Sequence, residues 1–308
     1  MNITITSAEA GITIREYLRG RLGYSSAMLK KLKFTEGGIT INGSFVTVRH
    51  VLQEGEILSL MSEDREEDTS PYIIPVDLSI DVVYEDEHIT VVNKPPMMPA
   101  HPSFGHRDDT VANALAFRYQ DEPYVFRPVN RLDRDTSGVM LTANTRLASY
   151  KMYRLMTEGK ICKTYIAVLD GIPSEAEGEI RSFMRRKEGS VVEREECGGD
   201  EAGKIAVTKY RVIYSADGRS VVLASPVTGR THQLRVQFAG IGCPITGDTM
   251  YGNESDIIDR QALHAVMTRF PHPMTGESLI LRAEIPCDIK SLMIGLWGEV
   301  PELEITEL

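Results

Sequence analysis

Apolar residues at Ile14, Leu18 and Leu22 recur every four positions, which places them on one face of a helix. A second helix follows at once. Ser25 is its expected N-cap, Met28, Leu29 and Leu32 supply its buried face, and Lys30, Lys31 and Lys33 point largely elsewhere. Gly37 and Gly38 end that helix. Ile39-Thr40-Ile41 then runs into Asn42-Gly43, a strong hairpin signal, and Val46 to Val51 and Glu56 to Leu60 continue as strands. Two helices and a small sheet are therefore expected over residues 1–60. Residues 61–75 read as an acidic linker, because Ser62 to Pro71 is a dense run of charge with nothing large and apolar to bury.

From about Val76 the pattern changes to β-branched strands separated by turns and a few helices, a mixed α+β domain expected over residues 76–308. Strands are expected at Ile80–Tyr84, His88–Asn93, Gly138–Ala143, Thr164–Leu169, Val207–Tyr214, Ser220–Ser225 and Ser278–Ile285. Helices are expected at Thr110–Tyr119, Arg146–Glu158 and Thr231–Ala239. Ser174 to Lys204 is polar, glycine-bearing and of mixed charge, which suits an extended hairpin or a mobile insertion.

Composition narrows the function classes. No long apolar run exists, so no membrane partner is expected, and Met1 to Glu9 lacks the basic-then-apolar order of a secretory signal, which makes the cytoplasm the expected location. Cys162, Cys197, Cys243 and Cys287 lie far apart with no Cys-x-x-Cys pair, and the histidines show no paired-ligand spacing. Neither a metal nor a cofactor is expected. The net charge of -10 argues against a nucleic-acid partner until its distribution is read. Residues 10–50 carry seven Lys and Arg (Arg15, Arg19, Arg21, Lys30, Lys31, Lys33, Arg49) against Glu16 and Glu36, a local net of +5, while Met61 to Thr90 holds ten acidic residues and only Arg65. Charge in blocks of one sign leaves a basic N-terminal surface available for phosphate.

Two segments carry the chemistry. In Val129-Asn-Arg-Leu-Asp-Arg-Asp-Thr-Ser-Gly-Val139 charged residues cluster before an apolar strand with a glycine hinge, as in an active-site loop, although Asp135, Thr136 and Ser137 would equally make a capped turn. Thr228-Gly-Arg-Thr-His-Gln-Leu-Arg235 places two arginines and a histidine around a helix start, which alone suggests anion binding. Together these segments resemble the RluA family of pseudouridine synthases, whose motif is His-Arg-Leu-Asp-x-x-Thr-Ser-Gly. Tyr84 to Ile89, Asn93-Lys94-Pro95-Pro96, Lys163-Thr164-Tyr165, Gly247-Asp248 with Tyr251, Leu263-His264-Ala265 and His272-Pro273 follow in the family's order along nearly the whole chain. Residues 1–60 resemble the S-four-like RNA-binding domain that often precedes this catalytic domain. Asn130 stands where the family usually has histidine, and Pro96-Met97-Met98-Pro99 replaces the usual glycine-containing turn.

The resemblance implies a mixed, mainly antiparallel catalytic sheet behind a small α/β RNA-binding domain, in an enzyme that isomerises uridines in structured RNA. Ribosomal RNA is the expected partner, with tRNA as the alternative, and a monomer is the simplest expected state. The resemblance makes Asp133 the carboxylate that acts on the ribose and places Arg235 against it, where an opposite charge favours the ionised form. Tyr165 would contact the target base, with Leu234 beside it, and Arg131 would fill the stack left by the extruded nucleotide. Lys30, Lys31 and Lys33 make the candidate RNA surface of the N-terminal domain. Lys94 and Arg230 suit either a phosphate contact or a solvated or salt-bridged role. Two rivals are compatible with parts of this pattern: a non-catalytic RNA-binding assembly factor, and a glycosylase in which water captures the sugar and free uracil is released.

Overall fold

The computed structural model describes residues 2–24, 26–61, 69–121, 123–199 and 203–308. Two sheets organise them. Near the N-terminus, β1 (Asn2–Thr4), β2 (Ile39–Ile41), β3 (Ser44–Phe45) and β4 (Ile57–Leu60) pair in the order β1-β4-β2-β3, all antiparallel. The first helix is shorter than its apolar spacing suggests: α1 spans Ile14–Glu16 and runs into a π-helical turn, Tyr17–Arg21. Ile14, Tyr17 and Leu18 are buried, whereas Leu22 packs only at the edge. The second helix, α2, covers Ser26–Phe34. Ser25, its expected cap, and the side chain of Met28 fall outside the described residues, as does part of the expected acidic linker, residues 62–68.

The expected strand Val46–Val51 does not form. Asn42 and Gly43 both adopt positive φ, so the turn pairs only Ser44 and Phe45 with β2. The chain then leaves the sheet to bond the entrance of α1, where Arg15 N–H donates to Val48 O at 3.0 Å and Ile14 N–H to His50 O at 2.9 Å. Those backbone groups are spent on the helix entrance rather than on a ladder. Leu147, from the fourth helix described below, completes the core beneath this sheet.

The larger sheet has ten strands: β5 (Asp81–Glu85), β6 (Ile89–Lys94), β7 (Ser137–Ala143), β8 (Cys162–Leu169), β9 (Glu177–Arg186), β10 (Arg194–Cys197), β11 (Lys204–Ala216), β12 (Arg219–Pro226), β13 (Leu263–Pro271) and β14 (Ser278–Arg282). Their order is β10-β9-β11-β12-β8-β13-β7-β6-β5, with β14 paired to β13, and β7–β13 is the parallel pair in an otherwise antiparallel array. Residues 177–197 make a hairpin, the first of the two forms expected for that segment. Strand β13 and the last helix, α6 (Cys287–Trp297), were not anticipated from periodicity.

Helices cover both faces at the middle of the sheet. The continuous apolar run of β7 is explained by two cores: Met140 belongs to the larger one, which also holds residues of α3 (Val111–Arg118), α5 (Gln233–Gly240) and α6, whereas Val139 and Leu141 belong to a second with Ala148 and Met152 of α4 (Arg146–Thr157). Gly138 marks the tightest approach in this region. Its φ is 112°, and a Cβ there would stand 2.2 Å from Ala265 O, so the parallel pairing of β7 with β13 requires glycine.

Candidate active site

The loop before β7 is held from beneath. Lys94, at the end of β6, is wholly buried, and its Nζ donates to Pro95 O, Met98 O and Arg134 O at 2.8, 2.8 and 2.7 Å. Burial pushes its pKa down to about 7. A phosphate contact and a solvated role are both ruled out by this position: Lys94 ties the proline-methionine turn to the loop that carries Asp133. Arg260 holds the other side, donating to Asp135 O at 2.9 Å while its guanidinium is forked onto Asp288 at 2.6 and 3.0 Å. Thr136 N–H closes a turn onto Asp133 O at 3.1 Å. The loop is therefore both a hydrogen-bonded turn and the wall of a cavity.

That cavity, of about 670 Å³, brings together Asp133, Arg131, Tyr165, Leu234, Arg235 and His232. Its volume lies in the range of small-ligand sites. Asp133 is partly exposed at the cavity floor, Arg131 is exposed at its rim, and Tyr165 and Leu234 are buried in its wall. Burial, with the negative charge of Asp133 added, pushes the Tyr165 hydroxyl well above its ordinary pKa, so this phenol stays protonated at neutral pH. Lys163, two residues earlier on the same strand, also faces the cavity, and burial lowers its pKa. Lys30, Lys31 and Lys33 lie exposed on α2, away from this cavity lining.

Arg235 does approach Asp133, with Nη1 3.7 Å from Oδ2, but its stronger partner is Asp248. Nε and Nη2 of Arg235 donate to the two carboxylate oxygens of Asp248 at 2.7 and 2.8 Å, and both side chains are buried. Asp248 was legible only as part of a motif, with no role attached. His232 has Nε2 4.0 Å from Asp133 Oδ2 and Nδ1 2.8 Å from the Tyr251 hydroxyl. Burial lowers its pKa, so it is neutral at neutral pH.

The segment that delivers these residues is fixed by amides. Gln233 accepts from the Thr228 hydroxyl at 2.8 Å and from Arg230 N–H at 3.0 Å, and donates to Val207 O at 3.0 Å. Gln237, one turn later, donates to Ala206 O and accepts from the Thr208 hydroxyl. Arg230 donates to Ile205 O at 2.9 Å. Asn130 accepts from Leu141 N–H at 2.7 Å, so at this family-variant position the side chain anchors the loop to β7.

The sequence profile described as RNA pseudouridylate synthase matches residues 88–240, which include Asp133, Tyr165 and Arg235. The chain is 37% identical to an RNA pseudouridine synthase of Bacillus subtilis, YjbO, over 92% of this chain and 99% of that protein. It is 35% identical to ribosomal large subunit pseudouridine synthase D of Vibrio cholerae, over 89% of this chain and 87% of that one. Among solved structures, human RNA pseudouridylate synthase domain containing 1 superposes with a TM-score of 0.59 at 29% identity, covering 75% of this chain and 91% of the human one.

Proposed function

This chain belongs to the RluA-type RNA pseudouridine synthase family, isomerases of uridines in RNA, and from that premise we propose that its substrate is structured large-subunit ribosomal RNA and that Asp133 carries the chemistry. The observation that supports the site most directly is the convergence of Asp133, Arg235 and Tyr165 on one cavity of nucleoside size. The ribosomal target rests on relatives such as the Vibrio enzyme. Residues 1–60, in this reading, are an S-four-like domain that adds RNA affinity through Lys30, Lys31 and Lys33.

Isomerisation breaks the bond from uracil nitrogen 1 to the ribose, turns the base, and rejoins it through carbon 5, whose proton is released. No oxidant or energy source is consumed. Asp133 serves the ribose while that bond is open, by stabilising developing positive charge, adding to the sugar, or removing a sugar proton. Arg235 keeps the carboxylate company as a fixed opposite charge. Tyr165 and Leu234 offer an aromatic ring and an apolar side chain to the extruded base, and Arg131 fills the vacated stack.

Tritium release from RNA labelled at uracil carbon 5 tests the assignment. Asp133→Asn should bind RNA as the parent does and release no tritium. Near-normal release by this variant would remove Asp133 from the mechanism, and free uracil among the parent enzyme's products would make the protein a glycosylase.

A further inference from the structure

The hairpin of β9 and β10 meets the start of α5 at Tyr251. Arg194 N–H donates to the Tyr251 hydroxyl oxygen at 2.8 Å, and that oxygen lies 2.8 Å from His232 Nδ1. A hydroxyl has one hydrogen. With its oxygen accepting from Arg194, the best use of the Tyr251 hydrogen is donation to Nδ1, an arrangement in which Nδ1 accepts and the proton of the neutral ring sits on Nε2. Nε2 is the nitrogen that faces Asp133.

His232 holds this orientation at some conformational expense. It precedes α5 as the N-cap residue with φ 57° and ψ 21°, a left-handed conformation uncommon outside glycine, and its side chain makes no capping bond to the helix. Strain of this kind persists where surrounding contacts over-determine it, often at functional sites. Here the ring is directed to Tyr251 and Asp133 instead of to the helix N-terminus. Arg235 Nη1 and His232 Nε2 both face Oδ2 of Asp133, at 3.7 and 4.0 Å. Separations of this length are common before substrate closes a site, and they tighten in the complex.

We propose that His232 is a positioning residue for Asp133, and that Tyr251, held by the Arg194 end of the hairpin, selects the tautomer that turns an N–H toward the carboxylate. The proposal rests on Asp133 being the reacting group. Both donors lie on the Oδ2 side, at 3.7 and 4.0 Å, so closing these gaps when RNA binds would fix the rotation of the carboxylate and leave Oδ1 for the ribose. The hairpin thereby acquires a part in the reaction without touching the base: a shift of Arg194 frees the Tyr251 hydroxyl, and with it the choice of His232 tautomer.

Nitrogen-15 labelling of the histidines in the full-length protein reads the tautomer directly, with His232→Leu identifying the resonances. The expected result is a neutral His232 protonated at Nε2, and a population protonated at Nδ1 appearing in Tyr251→Phe. In single-turnover assays, Tyr251→Phe should slow pseudouridine formation about ten-fold at unchanged RNA affinity. His232→Gln, which can place an amide N–H near the position of Nε2, should outpace His232→Leu by about five-fold or more. A parent His232 protonated at Nδ1 overturns the proposal even in an active enzyme, as does equal turnover by the Gln and Leu variants. Because the tautomer is read without turnover, failure of the parent to form pseudouridine counts against the proposed function instead.

Discussion

Asp248 grips Arg235 through two parallel hydrogen bonds, Nε to Oδ2 at 2.7 Å and Nη2 to Oδ1 at 2.8 Å, and so aims the remaining nitrogen, Nη1, at Asp133. The same carboxylate oxygen, Oδ1, accepts from the backbone of Met250 and Tyr251 at 3.1 and 3.2 Å. One buried carboxylate thus orients both the arginine and the segment carrying Tyr251.

Asp248→Asn should therefore be costly twice over. Removing one partner of a buried ion pair leaves an uncompensated charge and destabilises by about 3–5 kcal/mol. Arg235→Lys keeps a positive charge near Asp133 but loses the planar fork, so it should lose less stability than Asp248→Asn while slowing turnover at least ten-fold. Denaturant unfolding together with single-turnover assays checks both. An Arg235→Lys enzyme of parental rate would mean that charge alone, without orientation, suffices.

Lys94 gives a pH prediction with a defined sign. Its pKa in the folded protein is about 7, against 10.5 for an ordinary lysine, so between these values the unfolded chain binds the proton and the folded protein does not. Stability contributed by the lysine therefore rises with pH across that window, by up to about 1.4 kcal/mol per pH unit, and is lost as pH falls toward 7. Lys94→Met removes the effect and also leaves unpaired three carbonyls that the ammonium meets with three N–H groups and the neutral amine with two. The unfolding free energy of the parent should climb relative to Lys94→Met between pH 7 and 10; parallel curves would show that the buried amine keeps its proton throughout.

How much of this was legible depends on the kind of signal each residue sends. Asp133, Tyr165 and Arg235 announce themselves by local motifs, and the sheet by β-branched runs, so the catalytic fold and the residues lining the cavity were readable. Lys94 was misread because a lysine gives no sign in sequence that three carbonyls, one of them 40 residues away, will surround it. Asp248 and His232 depend on pairings across 13 and 19 residues that no periodicity encodes. The false strand at Val46–Val51 has the right composition, but its backbone groups find partners at the entrance of α1. Strand β13 was hidden because His264, Thr268 and Arg269 interrupt its apolar pattern, although all but Arg269 and Pro271 of its residues are buried.

Arg131 stands exposed at the cavity rim, two residues before Asp133, where it can enter a base stack. Extruding a paired base costs roughly a few kcal/mol, and a residue that fills the gap offsets part of it. Arg131→Ala should accordingly lose more activity on a uridine in a duplex or stacked loop than on one in a flexible single strand. Equal losses on the two substrates would reduce Arg131 to a phosphate contact.

The last prediction concerns the N-terminal surface. Lys30, Lys31 and Lys33 are all exposed on α2, with the exposed Phe34 beside them, so this face is accessible to a phosphate backbone. Deleting residues 1–60 would be a poor probe, because Leu147 of α4 is buried in the core of the small sheet and would be bared. Substituting the three lysines by alanine leaves that core intact. Each phosphate contact on single-stranded RNA contributes a slope of roughly 0.7 to the logarithm of affinity against the logarithm of salt concentration, so the triple variant should lose about two units of slope. Its affinity should fall most at low salt, while single-turnover isomerisation at saturating RNA stays at the parental rate, since none of the three lysines lines the cavity. Salt-titrated RNA binding beside a saturating single-turnover assay separates the two effects. An unchanged slope would place the RNA anchor elsewhere on the protein, and a slowed reaction at saturation would mean that the N-terminal surface takes part in presenting the uridine to Asp133 as well as in holding the RNA.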